Sequence, residues 1–450
     1  MKAVEKYSYG YEIARSWVRW TLRGLFYRKV VIRGLEKIDP KKPIIIAGNH
    51  QNALIDALNI LSILKAQPIF LARADIFKKK TMAIILNWMK IIPVYRIRDG
   101  FDSLQKNDEV FEKCAKILSK GRSLAIFPEG NHGDYRTLRM LKKGLARVAF
   151  GAEKVRNYEL GVQIVPIGLD YSHFEKFRAR VSISIGDPII VNDFSDLYKE
   201  DVQKGYRALN DEIRKRLFPH MIDVPWQAIY EGVMGMRSVY GKIYREKNNL
   251  PGKTIFNRFD ADKKLIDDIR EVYEEKPEQT EEISNKLVRY LKSLDRMNLR
   301  NHILEAGSFS LFRLLGESMW LVLMSPLFLY GLVNNFVVFT VPHVLTRTKI
   351  KDKQFRSSVA YVLAFVILLP LFLAIQTLII AVVFKTWWIT LAYLISIIPL
   401  GLFAIHYSFW FKKTRARLKF WYMSLRKNPK IISLVKTRKE LISDLDSLIS

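Results

Sequence analysis

The chain has 450 residues, 49% of them hydrophobic, and its 73 Lys and Arg against 44 Asp and Glu leave a formal net charge of +29. At about 150 residues per domain this length suggests two or three units, and a single cysteine, Cys114, excludes an intramolecular disulfide framework and a multi-cysteine zinc site. Uncharged, mostly apolar runs crowd between residues 318 and 411, which argues against a simple soluble protein. In such a chain the basic excess reads as cytosolic flanks of membrane spans that attract anionic lipid, not as a nucleic-acid footprint.

Residues 1–35 contain an amphipathic helix in which Arg15, Arg19 and Arg23 recur every four residues while Ile13 and Trp17 point away from them. The expected role is interfacial, with arginine among headgroups and tryptophan in the lipid; the alternative is a surface helix packed on the domain by its tryptophans. Lys2, Glu5, Lys6 and Glu12 leave no long apolar core here, so a cleaved secretory peptide is disfavoured.

Residues 36–224 alternate between short β-rich runs and amphipathic stretches, the pattern of an α/β domain. Strands are expected at 43–47, 68–72, 91–95, 123–127, 163–168 and 181–185, and helices at 53–65, 77–89, 103–120 and 137–156, with Cys114 a packing residue inside the third helix. Residues 225–315 form a charge-dense helical connecting region with a break at Lys276-Pro277.

Residues 316–450 are read as an all-helical membrane region with a basic cytosolic tail. The runs 359–384 and 386–411 are each 26 residues without a charge, long enough to span about 30 Å of hydrocarbon. Only Lys385 lies between them, whereas Arg347, Lys349, Lys351, Lys353 and Arg356 precede them and Lys412, Lys413, Arg415, Arg417 and Lys419 follow, which makes a hairpin with both ends cytosolic. Pro326, Gly331, Asn334, Asn335 and Pro342 interrupt the run 318–345. A re-entrant or interfacial helical hairpin is expected there, because a full span would separate the N-terminal domain from the basic 346–358 loop; the alternative is a third full span.

The sharpest chemical feature is Ile46-Ala47-Gly48-Asn49-His50-Gln51-Asn52-Ala53-Leu54-Ile55-Asp56. A buried strand ends in a polar loop and a helix begins near Ala53, so His50 falls at a strand's carboxyl end, where open α/β sheets gather their ligands. Histidine is a general base near neutral pH, and a carboxylate on its other ring nitrogen would fix the tautomer. Asp56 can supply it only if His50 lies in the loop, since six positions of regular helix turn the two side chains about 240° apart. The alternative is a loop histidine beside a capping aspartate.

Three further blocks follow in order: Ile92-Pro93-Val94-Tyr95-Arg96, Phe127-Pro128-Glu129-Gly130 with Lys143-Gly144 behind it, and Val165-Pro166-Ile167-Gly168. Together with Asn49-His50 and Asp56 they resemble the motifs of the glycerolipid acyltransferase superfamily, over roughly residues 30–220. The resemblance implies a mixed α/β sheet flanked by helices, His50 as base with Asp56 behind it, and Asn49, Arg96, Glu129 and Gly130 around the acceptor. Arg96 would bind its phosphate and Glu129 would position its glycerol hydroxyls; Arg73, after another strand, is a second phosphate candidate. Read without the family, Arg96 could be a surface ion-pair residue and Glu129 a solvated turn carboxylate. Most members have four residues between the histidine and the aspartate and continue Phe-Pro-Glu-Gly with Thr-Arg. Five intervene here, and Asn131-His132 stands in place of Thr-Arg, features similar to the yeast-type glycerol-3-phosphate/dihydroxyacetone-phosphate acyltransferases.

The resemblance implies a membrane-bound enzyme of phospholipid biosynthesis, with its catalytic domain on the cytosolic face. It would transfer a fatty acyl group from acyl-CoA or acyl-carrier protein to glycerol-3-phosphate or dihydroxyacetone phosphate. The alternatives are acylation of lysophosphatidate, remodelling of a lysophospholipid, and a membrane scaffold that has lost catalysis. No cofactor is expected beyond the acyl donor as co-substrate. No metal is expected either, since His50 and His132 lack carboxylates at ligand spacing. Membrane lipids are the expected partners. No dinucleotide fingerprint, phosphate-binding P-loop or Gly-x-Ser-x-Gly elbow occurs in the sequence.

Overall fold

The computed structural model of the protein describes residues 4–95, 101–133 and 135–449, with the backbone alone over 101–106. It divides into two compact units, one holding the chain up to Pro225 together with Asp352–Ser358, the other holding Trp226–Lys351 and Val359–Ser450. The unit that carries the motifs therefore takes in a short downstream segment.

In the first unit α1 (Tyr9–Trp20) leads to β1 (Lys29–Arg33) and β2 (Ile44–Gly48), followed by α2 (Ala53–Ile63), β3 (Ile69–Arg73), α3 (Lys80–Trp88), β4 (Ile91–Val94) and α4 (Phe101–Ser119). Next come β5 (Leu124–Ile126), α5 (Gly144–Val155), β6 (Gln163–Tyr171), β7 (Arg180–Ile185), β8 (Ile189–Ile190), α6 (Ser195–Glu200) and α7 (Val202–Leu217). The strands make one mixed sheet in the order β1-β7-β6-β2-β5-β3-β4, with β8 also on β6. Strand β6 runs antiparallel to β7 and β8, and the remaining pairs are parallel.

Central strands β2 and β5 are buried at every residue, as expected of parallel strands covered on both faces. Ile45, Ala47, Leu124, Ile126 and Ile164 pack with Cys114, Leu118, Ala149 and Phe150 of α4 and α5. Each Ile, Leu and Phe among them contributes about 1.5–3 kcal/mol on full burial. Among them, burial pushes the Cys114 thiol up to about 12, so it packs as an apolar group.

The strand β1 was not anticipated, because Val30, Val31 and Ile32 between Lys29 and Arg33 are too short a run to stand out beside a helical pattern. Helix α5 starts at Gly144, not 137. Residues before it are held as an irregular segment: Asp223 accepts from the Leu138 amide at 2.7 Å and the Thr137 hydroxyl at 3.0 Å, and Val224 donates to Arg136 O at 2.6 Å.

The N-terminal helix inverts the expected orientation. Arg15 is only 7% exposed while Ile13 is 73% exposed. Arg15 donates to the carbonyls of Leu64 and Ala66, and Arg19 to those of Ser62 at 3.0 Å and Leu64 at 3.2 Å. These carbonyls lie at the C-terminal end of α2, where unsatisfied acceptors and the helix dipole both favour cations. Periodicity located the arginine face correctly but not what it faces.

The second unit is helical: α8 (Tyr230–Val239), α9 (Gly241–Lys247), α10 (Ile255–Glu275), α11 (Pro277–Arg296), α12 (Asn301–Glu305), α13 (Leu311–Lys349), the end of α14 (Lys353–Tyr361), whose residues up to Ser358 belong to the first unit, α15 (Leu369–Phe384), α16 (Trp387–Leu425) and α17 (Pro429–Ile449). Pro277 occupies the first turn of α11, the helical position that tolerates it. Among the described residues three helices, Leu311–Lys349, Lys353–Phe384 and Trp387–Leu425, are long and apolar enough to cross a membrane.

The hairpin expected over 318–345 is instead part of one unbroken helix of 39 residues with Pro326 and Pro342 inside it. Three of the residues read as interruptions, Gly331, Asn334 and Asn335, are packing contacts with α15 and α16. A Cβ on Gly331 would stand 2.1 Å from Leu400 O, and Asn335 donates to Ile397 O at 3.1 Å. Asn334 accepts from the Tyr393 hydroxyl at 2.6 Å and the Gln376 amide at 3.0 Å. Small residues that admit a close neighbour and amides that bond across it join apolar helices, so neither breaks one.

The orientation of α1 sets a measurable expectation. Arg15→Ala with Arg19→Ala removes the donors from the α2 terminus and should destabilise the protein by about 2–3 kcal/mol, read as a fall in the thermal unfolding midpoint. An unchanged midpoint with weakened vesicle binding would instead put the arginines at the lipid surface.

Candidate active site

The parallel strands β2, β3, β4 and β5 bring their carboxyl ends to one edge of the sheet, where Asn49 and His50 follow β2, Arg73 ends β3 and Glu129 follows β5. Strand β2 pairs with β6 through Ala47 and Gly48. The Asn49 side chain then prolongs this pairing, donating to Leu169 O at 3.1 Å and accepting from Leu169 N at 2.7 Å. Asn49 is 0% exposed, and its amide is engaged at both ends. It staples two strands together.

His50 follows in the loop, as its pairing with Asp56 requires. Its Nδ1 stands 2.9 Å from Asp56 Oδ2. The same oxygen accepts from the amides of Gln51 at 2.8 Å and Asn52 at 2.7 Å, and Asp56 Oδ1 accepts from the Tyr171 hydroxyl at 2.6 Å. The Asp56 side chain is fully buried, so these charge-assisted bonds offset the cost of removing a carboxylate from water. Burial and the Asp56 charge hold the Tyr171 phenol well above its usual range, which keeps it a donor. Asn59 Nδ2 in turn reaches the hydroxyls of Tyr171 at 3.0 Å and Tyr27 at 3.2 Å.

The imidazole lies flat on Phe127, with ring centroids 4.2 Å apart at 14°. Gly48 makes this possible: a Cβ there would sit 3.0 Å from the Phe127 ring and 3.1 Å from Ile60. With Nδ1 committed to Asp56 and one face covered, Nε2 is the nitrogen available to a substrate proton. The side chain is 17% exposed.

Glu129 is enclosed by protein donors. Its side chain is wholly buried, Oε1 accepts from the His50 amide at 2.8 Å, and Oε2 accepts from Arg139 Nε at 2.7 Å. Arg139 also donates to the carbonyls of His50, at 2.9 Å, and Asn131. Burial pushes the Glu129 carboxyl above the ordinary range, while the Arg139 charge and the amide of His50 pull it back. Both oxygens are thus occupied by protein donors, and Glu129 braces the backbone of His50 from β5. Gly130 follows at φ +74°, a left-handed conformation that suits glycine.

Arg73, at the end of β3, is partnered by both carboxylate oxygens of Asp75. Arg96 lies outside the described residues. Its approach is visible in Tyr95, whose amide and carbonyl are held by the Asn107 side chain at 2.9 and 2.8 Å. His132 stands edge-on to His50 at 5.8 Å, and its Nε2 is 3.2 Å from Asp352. Among the described residues no group of three His, Cys, Asp or Glu converges as a metal site.

Four residues that sequence reasoning missed complete the site: Arg139, Tyr171, Asn59 and Asn52. Asn52 lies inside the Ile46–Asp56 stretch without being singled out, and the other three stand in no recognisable block. Tyr171 had the clearest signal, since it sits at the end of the strand opened by Val165-Pro166-Ile167-Gly168.

The Acyltransferase family model matches residues 29–170. Glycerol-3-phosphate O-acyltransferase 1 of Saccharomyces cerevisiae is 26% identical over 56% of this chain and 33% of its own length, so the match spans a third of that relative. The 1-acyl-sn-glycerol-3-phosphate acyltransferase of Borreliella burgdorferi is 29% identical over 42% of this chain and 72% of its own. The solved 1-acyl-sn-glycerophosphate acyltransferase of Thermotoga maritima covers 46% of this chain and 78% of its own, with a TM-score of 0.34 and 19% identity. The motif blocks, the histidine and carboxylate they bring together and the family match converge on one conclusion: the chain carries an acyltransferase domain, similar to those of glycerolipid acyltransferases.

Proposed function

We propose that the protein moves a fatty acyl group from the thioester of acyl-CoA or acyl-carrier protein to a hydroxyl of glycerol-3-phosphate, the first acylation of phospholipid synthesis. The observation that carries the reading is the pairing of His50 Nδ1 with buried Asp56, which leaves Nε2 to accept a proton at the open edge of the sheet. Nε2 takes the hydroxyl proton as the oxygen attacks the thioester carbonyl; the tetrahedral intermediate collapses with cleavage of the C–S bond, and the imidazolium returns its proton to the departing thiolate. Asp56 stabilises the imidazolium in between, and no covalent acyl-enzyme is needed. Glycerol-3-phosphate is the favoured acceptor because the five-residue His-to-Asp spacing and the Asn131-His132 pair depart from the lysophosphatidate pattern, and the yeast relative is named for this acceptor. Arg96 is the proposed phosphate ligand, with Arg73 able to serve only by leaving Asp75.

We place the acyltransferase unit on the cytosolic face of the membrane. Asp352–Ser358 belongs to the same unit as the chain before Pro225, so the chain between them crosses the bilayer an even number of times. Under this reading α13, although long and apolar enough to cross, does not cross, and the two later helices form the hairpin. The basic residues around 346–358 then fall on the cytosolic side.

Purified protein in vesicles, offered acyl-CoA or acyl-carrier protein with glycerol-3-phosphate, dihydroxyacetone phosphate or lysophosphatidate, should acylate glycerol-3-phosphate. His50→Ala should lose about 10³-fold in rate with unchanged unfolding behaviour. Product from lysophosphatidate alone would move the protein to the second acylation, and no product from any pair would leave the scaffold reading. Tyr171→Phe, which strips one donor from Asp56, should lower kcat on the order of tenfold with little change in acceptor KM. For the topology, single cysteines at Ser308 and Lys351 in a Cys114→Ala background should be labelled from the same side by an impermeant maleimide; labelling from opposite sides would make α13 a full span.

A further inference from the structure

The downstream segment of the acyltransferase unit ends on the loop that presents the His50–Asp56 pair. Ser357 Oγ donates to Asn52 Oδ1 at 2.6 Å. Ser358 Oγ accepts from the Ile55 amide at 3.3 Å and lies 3.5 Å from the Asn52 carbonyl. Asp352 and Phe355 of the same segment hold His132, through the 3.2 Å contact with Nε2 and an edge-on ring contact at 4.8 Å. Both serines are buried, at 2% and 3% exposure, and Asn52 is at 1%.

These contacts fall where the loop is under most strain. The carboxylate of Asp56 takes the amides of Gln51 and Asn52, so it caps the start of its own helix and draws His50 toward it. Five residues lie between the pair, and the one that follows Asn52 is forced into the left-handed region: Ala53 has φ +44°. An alanine there is strained, since its Cβ crowds the backbone. Asn52 takes no part in side-chain capping of α2. Its carboxamide oxygen meets Ser357 instead, and its nitrogen donates to Phe174 O at 3.3 Å.

We propose that Ser357 and Ser358 are positioning residues for the His50–Asp56 pair, clamping the strained Asn52-Ala53 turn through which a five-residue spacer brings the two side chains into contact. This rests on the acyl-transfer reading for its kinetic consequence, but not for the clamp itself. Without the serines the oxygen of Asn52 is buried with no donor, and the turn can relax away from the left-handed conformation and carry His50 with it.

The test uses the full chain in vesicles, comparing wild type with Ser357→Ala/Ser358→Ala, with the milder Ser357→Ala, and with Ala53→Gly alone and combined with the double substitution. The double variant should lose on the order of tenfold in kcat, with acceptor and donor KM held within about twofold. Ala53→Gly should recover about threefold of that loss, because glycine adopts the left-handed turn without strain. Hydrogen exchange of the peptide covering residues 49–57 should quicken in the double variant and slow again with glycine. A rise in KM at intact kcat, no recovery by glycine, or unchanged exchange in the double variant would each overturn the proposal. Should wild type transfer no acyl group to any acceptor, the acyl-transfer reading falls, and the exchange measurement alone decides whether the serines clamp the turn. If the double variant fails to fold, Ser357→Ala decides by the same readings.

Discussion

A carboxylate sealed from water has to be matched on every side, and the acyltransferase unit is organised around meeting that demand at Asp56. Its oxygens receive a ring nitrogen, two amides and a phenol, each from a different part of the chain. The amides come from the start of α2, the imidazole from the end of β2, and the phenol from the end of β6. The donors can converge only if β2 and β6 keep their register, which the double bond of Asn49 to Leu169 enforces. A slip by one residue would turn Tyr171 to the other face of the sheet. Strand pairing, a rigid source, thus supplies the frame on which the loop is held.

The second buried carboxylate does related work by another route. Glu129 ties the end of β5 to the backbone of His50, and Arg139 neutralises it while reaching back to the His50 carbonyl. The histidine is therefore fixed through both its backbone and its ring. Burial works against the charge of Glu129 and Arg139 works for it. A buried ion pair of this kind contributes little net stability, but breaking it by removing one partner leaves an uncompensated charge. Its value here lies in geometry: the carboxylate can satisfy His50 N–H only while the loop keeps the shape that presents Nε2.

What could be read from the sequence follows the range of the physical signal. Strands β2 through β7 carry continuous or alternating apolar runs and were located to within a few residues, and the meeting of His50 with Asp56 followed from the strand-loop-helix order of one short stretch. A motif names the residues that gather at a site without saying which partners hold them, and here Asn49 and Glu129 are both held by protein groups. Arg15 and Arg19 were assigned to the wrong environment for a similar reason: a stripe of arginines looks alike whether it meets headgroups or a helix terminus. Tyr171, Arg139 and the two serines carry no local pattern, since their partners lie 115, 10 and more than 300 residues away. Gly331, Asn334 and Asn335 illustrate the converse case. Local rules make them helix breakers, and a neighbouring helix makes them contacts.

The separation of the serines from the loop they touch raises the question of what such a distant contact costs. Loop-closure entropy grows only with the logarithm of length, so closing about 300 residues costs roughly 2 kcal/mol more than closing about 30. Folding of the intervening helices reduces this further, since ordered helix no longer explores the conformations of a free chain. Against that stand hydrogen bonds to an asparagine and an amide inside the unit, where an unmet polar group costs about 1–3 kcal/mol. The balance lets a segment between two apolar helices complete a domain that ends, by sequence pattern, near residue 225. It also makes the acyltransferase unit discontinuous: the strained turn beside His50 reaches its final set of partners only once the chain has returned, so the catalytic geometry is a property of the full chain and not of residues 29–170 alone.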